Sequence, residues 1–188
     1  MAADQAPALA RPGRGPFTRA ELNAIVEDGR RHEILDGVLI VTPRPALRHQ
    51  RAVLRLAVVL ADSAPSRIEV LAGPLDVALA DDTVLRPDLV VARFEDFTER
   101  DLPKAPLLAV EVLSPSTRRY DLLLKRSRYE AAATPSYWVV DPDEPSVTAW
   151  ELRDGTYAEA GRAAGDDALE LTLPYPVRIV PAELVAPR

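Results

Sequence analysis

Two acidic residues lie where a hydrophobic core normally excludes charge. Glu111 interrupts residues 107–113, the most apolar segment of the chain, and Asp88 opens the apolar run 89–91. An ionised carboxylate buried in such a segment costs several kcal/mol unless it is paired, protonated or bound to a metal. Glu111 is therefore a candidate functional residue. Asp88 follows Pro87 and is also compatible with an ordinary turn.

Together with a nearby lysine, these carboxylates suggest a specific chemistry. Two carboxylates at the ends of neighbouring strands form a hard-oxygen site that suits Mg²⁺ or Mn²⁺. Lys125 lies on the next predicted helix, and its ammonium can orient a water molecule or neutralise charge on a phosphate. The set favours metal-assisted phosphodiester hydrolysis, although sequence spacing alone does not establish that Asp88 and Glu111 meet.

Each of the other candidates has a simpler alternative. Lys125 follows Asp121 by four residues, and such a helical pair contributes only about 0.2–0.5 kcal/mol. Glu33 lies in a predicted hairpin, where it is either part of the site or a solvated strand residue. His49 lies on a polar helix face and is either a surface residue or an auxiliary group.

The elements that must position these residues follow from the pattern of apolar and turn residues. A capping box at Thr18 predicts a helix that ends at Gly29, and apolar spacing predicts further helices over residues 46–62 and 120–133. Asp36-Gly37 and Asp154-Gly155 each predict a two-residue hairpin turn. Strands are predicted at 32–35, 38–41, 68–71, 75–79, 89–91, 107–113, 137–140, 147–152 and 156–159, with further short strands in 168–188.

Length and composition bound the class of protein. The chain has 188 residues, 47% of them hydrophobic, and a net charge of −6, which fits one globular domain. We expect a flexible tail over residues 1–16 and a single α+β domain over 17–188. No secretory signal or apolar run of about 18 residues is evident, and the chain has no cysteine, so we expect a cytoplasmic protein without thiolate chemistry.

An ordered series of motifs resembles one known family. Its segments are His-Glu-Ile-Leu-Asp-Gly at 32–37, Pro43, Pro45 and His49, Leu-Arg-Pro-Asp-Leu-Val-Val at 85–91, Val-Glu-Val-Leu-Ser-Pro-Ser-Thr at 110–117, Asp121, Lys125 and Tyr129, and Tyr-Trp-Val-Val-Asp-Pro at 137–142. Over roughly residues 17–180 the chain resembles the Uma2 family of the PD-(D/E)XK nuclease superfamily. The resemblance implies a restriction-endonuclease-like fold, with a mixed central sheet flanked by helices and additional β-hairpins.

The resemblance also implies roles for the candidates. Asp88 and Glu111 would bind Mg²⁺ or Mn²⁺, with help from the carbonyl group of Val112, and Lys125 would be the catalytic lysine. Glu33 would be the N-terminal acidic residue of the site.

The chain departs from the superfamily signature at one position. Leu113 occupies the place of the signature lysine, two residues after Glu111, so the amine would come from Lys125 on the following helix. His49 and Asp121 are possible auxiliary residues.

A basic stretch near Lys125 is a candidate nucleic-acid surface, although it is equally compatible with a solvated helix face. Its members are Arg118, Arg119, Arg126 and Arg128.

The leading hypothesis is a Mg²⁺-dependent endonuclease that hydrolyses DNA, with a homodimer implied by resemblance. The alternative is an inactive nuclease-fold module that binds nucleic acid or a protein partner, and hydrolysis of a small phosphate ester stays open.

Overall fold

The structure, a computed structural model, describes residues 8–10, 15–26, 28–115 and 117–187. In these ranges the chain forms two six-stranded sheets, a two-stranded sheet and several helices. The strands are β1 (Ala8–Ala10), β2 (Arg31–Leu35), β3 (Val38–Thr42), β4 (Ile68–Ala72), β5 (Asp76–Ala80), β6 (Thr83–Leu85), β7 (Leu89–Arg93), β8 (Asp101–Leu102), β9 (Leu108–Val112), β10 (Ser136–Asp141), β11 (Ser146–Arg153), β12 (Thr156–Ala164), β13 (Leu169–Leu171) and β14 (Val177–Ile179).

The helices are few and mostly short. They are α1 (Arg19–Asn23), α2 (Leu47–Ser63), a 3₁₀ turn (Phe94–Asp96), a π-helical turn (Tyr120–Lys125), α3 (Arg126–Ala131) and α4 (Pro181–Val185). None of the helices in the described ranges combines the length and apolar character that crossing a bilayer requires.

The central sheet is mixed, as the family resemblance implies. Its strand order is β12-β11-β10-β9-β7-β4, and only β9 and β10 are parallel neighbours within it. Every residue of β9 and β10 is buried. Leu56 and Leu60 of α2 pack on one face of the sheet and Tyr129 of α3 on the other. Because both faces are covered, residues 107–113 show no alternation of apolar and polar residues.

The first sheet has the order β1-β3-β2-β6-β5-β8 and contains the hairpin predicted at Asp36-Gly37. Both turn residues have positive φ, 53° and 73°, as a type I′ turn requires. Asp154 and Gly155 form an equivalent turn, with φ of 51° and 81°, between β11 and β12. Both hairpin predictions are confirmed.

The first helix begins where the sequence predicts but is shorter. Thr18 and Glu21 form the reciprocal capping box, and α1 then ends before Ala24. Val26 is 84% exposed. Leu22 and Ile25 pack against the core, but Val26 does not, so burial gives little support to a helix that continues past Ile25.

Both ends of the chain differ in part from expectation. Of the predicted tail over residues 1–16, residues 1–7 and 11–14 lie outside the described residues, and Ala8–Ala10 pair with β3. Near the C-terminus β13 and β14 form as predicted, but 181–185 is a helix and the prediction of strand is wrong there. Pro181 is its first residue, where the missing N–H costs no helical hydrogen bond.

The segment that contains Lys125 is helical from Tyr120 to Ala131, but its first part is a π-helical turn. Asp121 and Lys125 point inward and are buried, whereas Leu123 and Leu124 are exposed. Such turns are rare and occur frequently at functional sites.

Candidate active site

Asp88 and Glu111 lie opposite each other on antiparallel neighbours. Leu89 of β7 pairs with Val110 of β9, and the N–H group of Asp88 donates to the Val110 carbonyl group at 3.0 Å. Opposed residues of an antiparallel pair project from the same face of the sheet. Both carboxylates are buried on the face that packs against α3. The two strands are therefore adjacent, which the sequence spacing left open.

Three donors from different elements hold the Asp88 carboxylate. Oδ2 accepts the Val112 N–H at 2.8 Å and lies 3.2 Å from His49 Nε2, and Oδ1 accepts from Arg31 Nη1 at 2.9 Å. Burial opposes ionisation, but Arg31, His49 and the Val112 N–H hold the pKa of Asp88 well below its usual value. His49 is only 7% exposed, so it is not a surface histidine.

Lys125 is the centre of an acidic cage. Its Nζ lies 2.8 Å from Glu33 Oε1, 3.1 Å from Glu111 Oε1 and 3.4 Å from Asp121 Oδ1. The side chain is only 3% exposed. Burial alone would lower the pKa of Lys125, but the three carboxylates raise it above its ordinary value, so the amine stays protonated. The helical pair with Asp121 is therefore one of three contacts.

Glu33 belongs to the same cluster and is not a solvated strand residue. It is 1% exposed, and its Oε1 also accepts the Arg86 N–H at 2.7 Å. Burial opposes ionisation, but Lys125 and Arg31 lower the pKa of Glu33 below its usual value. A strand of the first sheet thus contributes to a site on the central sheet.

Arg31 is a site residue that the sequence analysis missed. Its Nη1 contacts Asp88 Oδ1 at 2.9 Å, its Nη2 lies 3.5 Å from Glu111 Oε2, and its Nε lies 3.5 Å from Glu33 Oε2. Alternation along a strand places residues i and i+2 on one face. The spacing from Arg31 to Glu33 was therefore the available signal.

The cluster contains more acids than bases. Glu33, Asp88, Glu111 and Asp121 surround the two cations Arg31 and Lys125. Burial raises the pKa of Glu111 well above its usual value and also raises the pKa of Asp121. For both groups the effect of burial outweighs the attraction of Lys125, which lowers the pKa. An additional cation would favour the ionised forms of Glu111 and Asp121, so four carboxyl groups with only two cations among them suit its binding.

The cluster opens into two cavities of about 400 Å³ each. The first is lined by residues that include Arg44, Glu111 and Lys125, and the second has an apolar wall of residues that include Val53 and Leu54. Both are also lined by Arg31, Pro43, Arg44, Pro45, His49 and Asp88. The cavities thus adjoin at Asp88.

Whether this donor set fits a divalent cation depends on Arg31. Among the residues that the structure describes, no three or more His, Asp or Glu side chains form a ready-made metal site. Asp88 Oδ1 and Glu111 Oε2 nevertheless converge on one cationic group, the Arg31 guanidinium. Two convergent carboxylate oxygens are suitable ligands for Mg²⁺ or Mn²⁺. The set therefore fits such an ion, provided that the guanidinium moves.

The arginines of the predicted nucleic-acid surface have diverse surroundings. Arg118 pairs with Asp141 at 2.6 Å, Arg128 pairs with Asp36 at 2.6 Å, and Arg126 lies over the ring of Trp150 at 5.0 Å. Arg119 is exposed. None of these four lines either cavity, whereas Arg44, which the sequence analysis did not select, lines both.

Comparisons with known proteins agree with this fold. A family model named Uma2, described as "Putative restriction endonuclease", matches residues 17–182. A similar solved structure is a crystal structure from Anabaena variabilis, described as a "putative nuclease belonging to DUF820". It is 19% identical in sequence, with a TM-score of 0.69 over 90% of this chain and 98% of that chain. No curated protein matches. Because the family model matches most of this chain, the chain belongs to the Uma2 family, as its motifs predict.

Proposed function

We propose that this protein is a divalent-metal-dependent endonuclease that hydrolyses phosphodiester bonds of DNA. The observation that carries the proposal is the convergence of the Asp88 and Glu111 carboxylates on one cationic position at the wall of a cavity. Membership of a family described as "Putative restriction endonuclease" supports the same reaction.

The proposed roles follow from the contacts. Asp88 and Glu111 would hold the cation, which would supply charge stabilisation at the phosphate and activate water. The Val112 N–H and His49 keep Asp88 ionised and oriented. The Val112 carbonyl group stays a candidate third ligand by resemblance.

Lys125 is assigned a positioning role within this scheme. It is protonated and contacts Glu33, Asp121 and Glu111, so it fixes the Glu111 carboxylate. A protonated amine cannot accept a proton from water, so we do not assign it as the general base.

The test has two stages. Mn²⁺ is titrated calorimetrically into the wild type and into Asp88→Asn, Glu111→Gln and their double variant, and supercoiled plasmid is then incubated with each protein and Mg²⁺ or Mn²⁺. We expect saturable binding and divalent-dependent nicking by the wild type, both lost in the double variant. Asp62→Asn on the exposed end of α2 is the matched control. Undiminished nicking by the double variant would refute the proposal.

The inactive-module alternative is favoured by one observation, the contact of Arg31 with both carboxylate oxygens that would hold the cation. It predicts DNA or partner binding that is indifferent to Mg²⁺ and, in the folded protein, to Lys125→Ala. Turnover of a small phosphodiester without cleavage of any nucleic acid would instead support a small substrate.

We also propose that the protein acts as a homodimer in the cytoplasm. The dimer is implied by the resemblance to a nuclease class in which many members cut duplexes as dimers, and the absence of cysteine suits a reducing compartment. Analytical ultracentrifugation of the whole chain tests the first part, and a monomer at every concentration would contradict it.

A further inference from the structure

The two cations of the cluster differ in their access to the cavities. Lys125 is 3% exposed and lines one cavity, whereas Arg31 is 24% exposed at its side chain and lines both. A phosphate group that enters either cavity therefore meets Arg31. Lys125 is confined among three carboxylates.

Arg31 contacts the oxygens that would hold the cation. Its Nη1 and Nη2 groups lie on Asp88 Oδ1 and Glu111 Oε2. A guanidinium and a divalent cation on the same oxygens repel each other strongly, since the repulsion energy of two cations rises as the distance between them falls. The two cations therefore compete for this position.

The geometry of the Arg31 guanidinium also suits a phosphate group. Its planar fork suits two oxygens of one phosphate as well as carboxylates. Arg31 Nε is buried and has no hydrogen-bond acceptor among the described residues, although Glu33 lies 3.5 Å away. The carboxylate contacts thus leave part of its donor capacity unused.

We propose that Arg31 is the phosphate-contacting cation of the site, and that it rests on Asp88 and Glu111 until a divalent cation displaces it. This inference rests on the proposed function, because it assumes that those carboxylates bind the cation. The Arg31 guanidinium then has one role in the metal-free state and another in the metal-bound state. Without metal it neutralises the carboxylates, and with metal it binds the DNA backbone.

The first test measures metal binding without any turnover. Mn²⁺ is titrated into the wild type, Arg31→Met, Arg31→Lys and Arg93→Met. Arg93 is exposed at the end of β7 remote from Asp88, so its replacement removes the same charge outside the site. We expect Arg31→Met to bind Mn²⁺ about tenfold more tightly than the wild type, and Arg93→Met to be unchanged.

The second test measures DNA binding with Ca²⁺ in place of Mn²⁺, by fluorescence anisotropy of a labelled duplex. We expect Arg31→Met to bind about tenfold more weakly and to lose about one unit of the slope of log affinity against log salt concentration. Arg31→Lys should recover part of the affinity because it retains the charge without the fork. A purely structural role for Arg31 would not produce opposite changes in metal and DNA affinity.

The outcomes separate the two proposals. If the wild type binds Mn²⁺ and folded Arg31→Met binds it equally or less tightly, or if Arg31→Lys behaves like the wild type in both assays, the inference about Arg31 is overturned and the metal site stands. If neither the wild type nor any Arg31 variant binds Mn²⁺, both proposals fail. Thermal unfolding in EDTA confirms that each variant is folded.

Discussion

At the scale of single residues, the cluster is stabilised by its cations. Lys125 is the shared counterion of three carboxylates, and its side chain is almost completely buried. Removal of one partner from a buried ion pair is far more costly than loss of an exposed pair, because the remaining charges stay buried without compensation. The chain offers an internal control, since its other lysine, Lys104, is 55% exposed and pairs with Asp96.

Lys125→Met is therefore expected to lower the free energy of unfolding by about 3–5 kcal/mol, and Lys104→Met by about 0–1 kcal/mol. Urea denaturation at neutral pH, monitored by circular dichroism, measures both. If the two variants are equally stable, Lys125 is not the counterion that the contacts imply.

At the scale of elements, local signals were predictable and remote contacts were not. The turns at Asp36-Gly37 and Asp154-Gly155 depend on two adjacent residues, so their hairpins follow from the sequence. Arg31 gave no such signal, because its partners on β7 and β9 are remote in the chain. The early end of α1 likewise depends on tertiary contacts, because Ile25 packs against the core and Val26 does not.

The two hairpin turns provide a matched pair of substitutions. Replacement of either glycine by alanine costs about 1–2 kcal/mol, because a residue with a Cβ atom is strained at positive φ. At Gly155 the added Cβ meets nothing within 4 Å, whereas at Gly37 it would lie 2.3 Å from the Cβ of Pro16. Gly37→Ala should therefore cost about 1–3 kcal/mol more than Gly155→Ala.

Urea denaturation of the two glycine variants measures that difference. Equal destabilisation by the two substitutions would show that the contact with Pro16 does not constrain the hairpin.

The connection between β13 and β14 is anchored to α2 by one phenol. The Tyr175 hydroxyl group donates to the Leu60 carbonyl group at 2.8 Å, and burial raises the pKa of Tyr175 to about 12. A raised pKa favours the neutral phenol in the folded state, so its stabilising effect is complete below pH 10 and is lost as the pH rises from 10 to 12. The Tyr175→Phe variant should therefore lose less stability than the wild type as the pH rises from 10 to 12.

The measurement is urea denaturation between pH 8 and pH 11.5 for the wild type and Tyr175→Phe. Burial also raises the pKa values of Tyr129, Tyr137 and Tyr157, so part of the alkaline loss should persist in the variant. Identical pH profiles would exclude a contribution from Tyr175.

At the scale of the whole molecule, the site joins elements that no short segment of sequence contains. Arg31 and Glu33 come from the first sheet, Asp88 and Glu111 from the central sheet, and Lys125 from the π-helical turn. Most strands of the central sheet were predictable from apolar runs and turns, and its mixed character was implied by the family resemblance. The meeting of the two sheets at these carboxylates was not, because it depends on tertiary packing.

This arrangement couples metal binding to the stability of the whole domain. A ligand that binds only the folded state stabilises it by about 2.7 kcal/mol at one hundred times its Kd. For a domain of this size that corresponds to a rise in Tm of about 5–10 °C. We therefore expect Mn²⁺ to raise the Tm of the wild type by this amount, EDTA to reverse the rise, and the Asp88→Asn, Glu111→Gln double variant to show none. Differential scanning calorimetry with Asp62→Asn as the control measures this, and an equal rise in the double variant would mean that Mn²⁺ binds elsewhere.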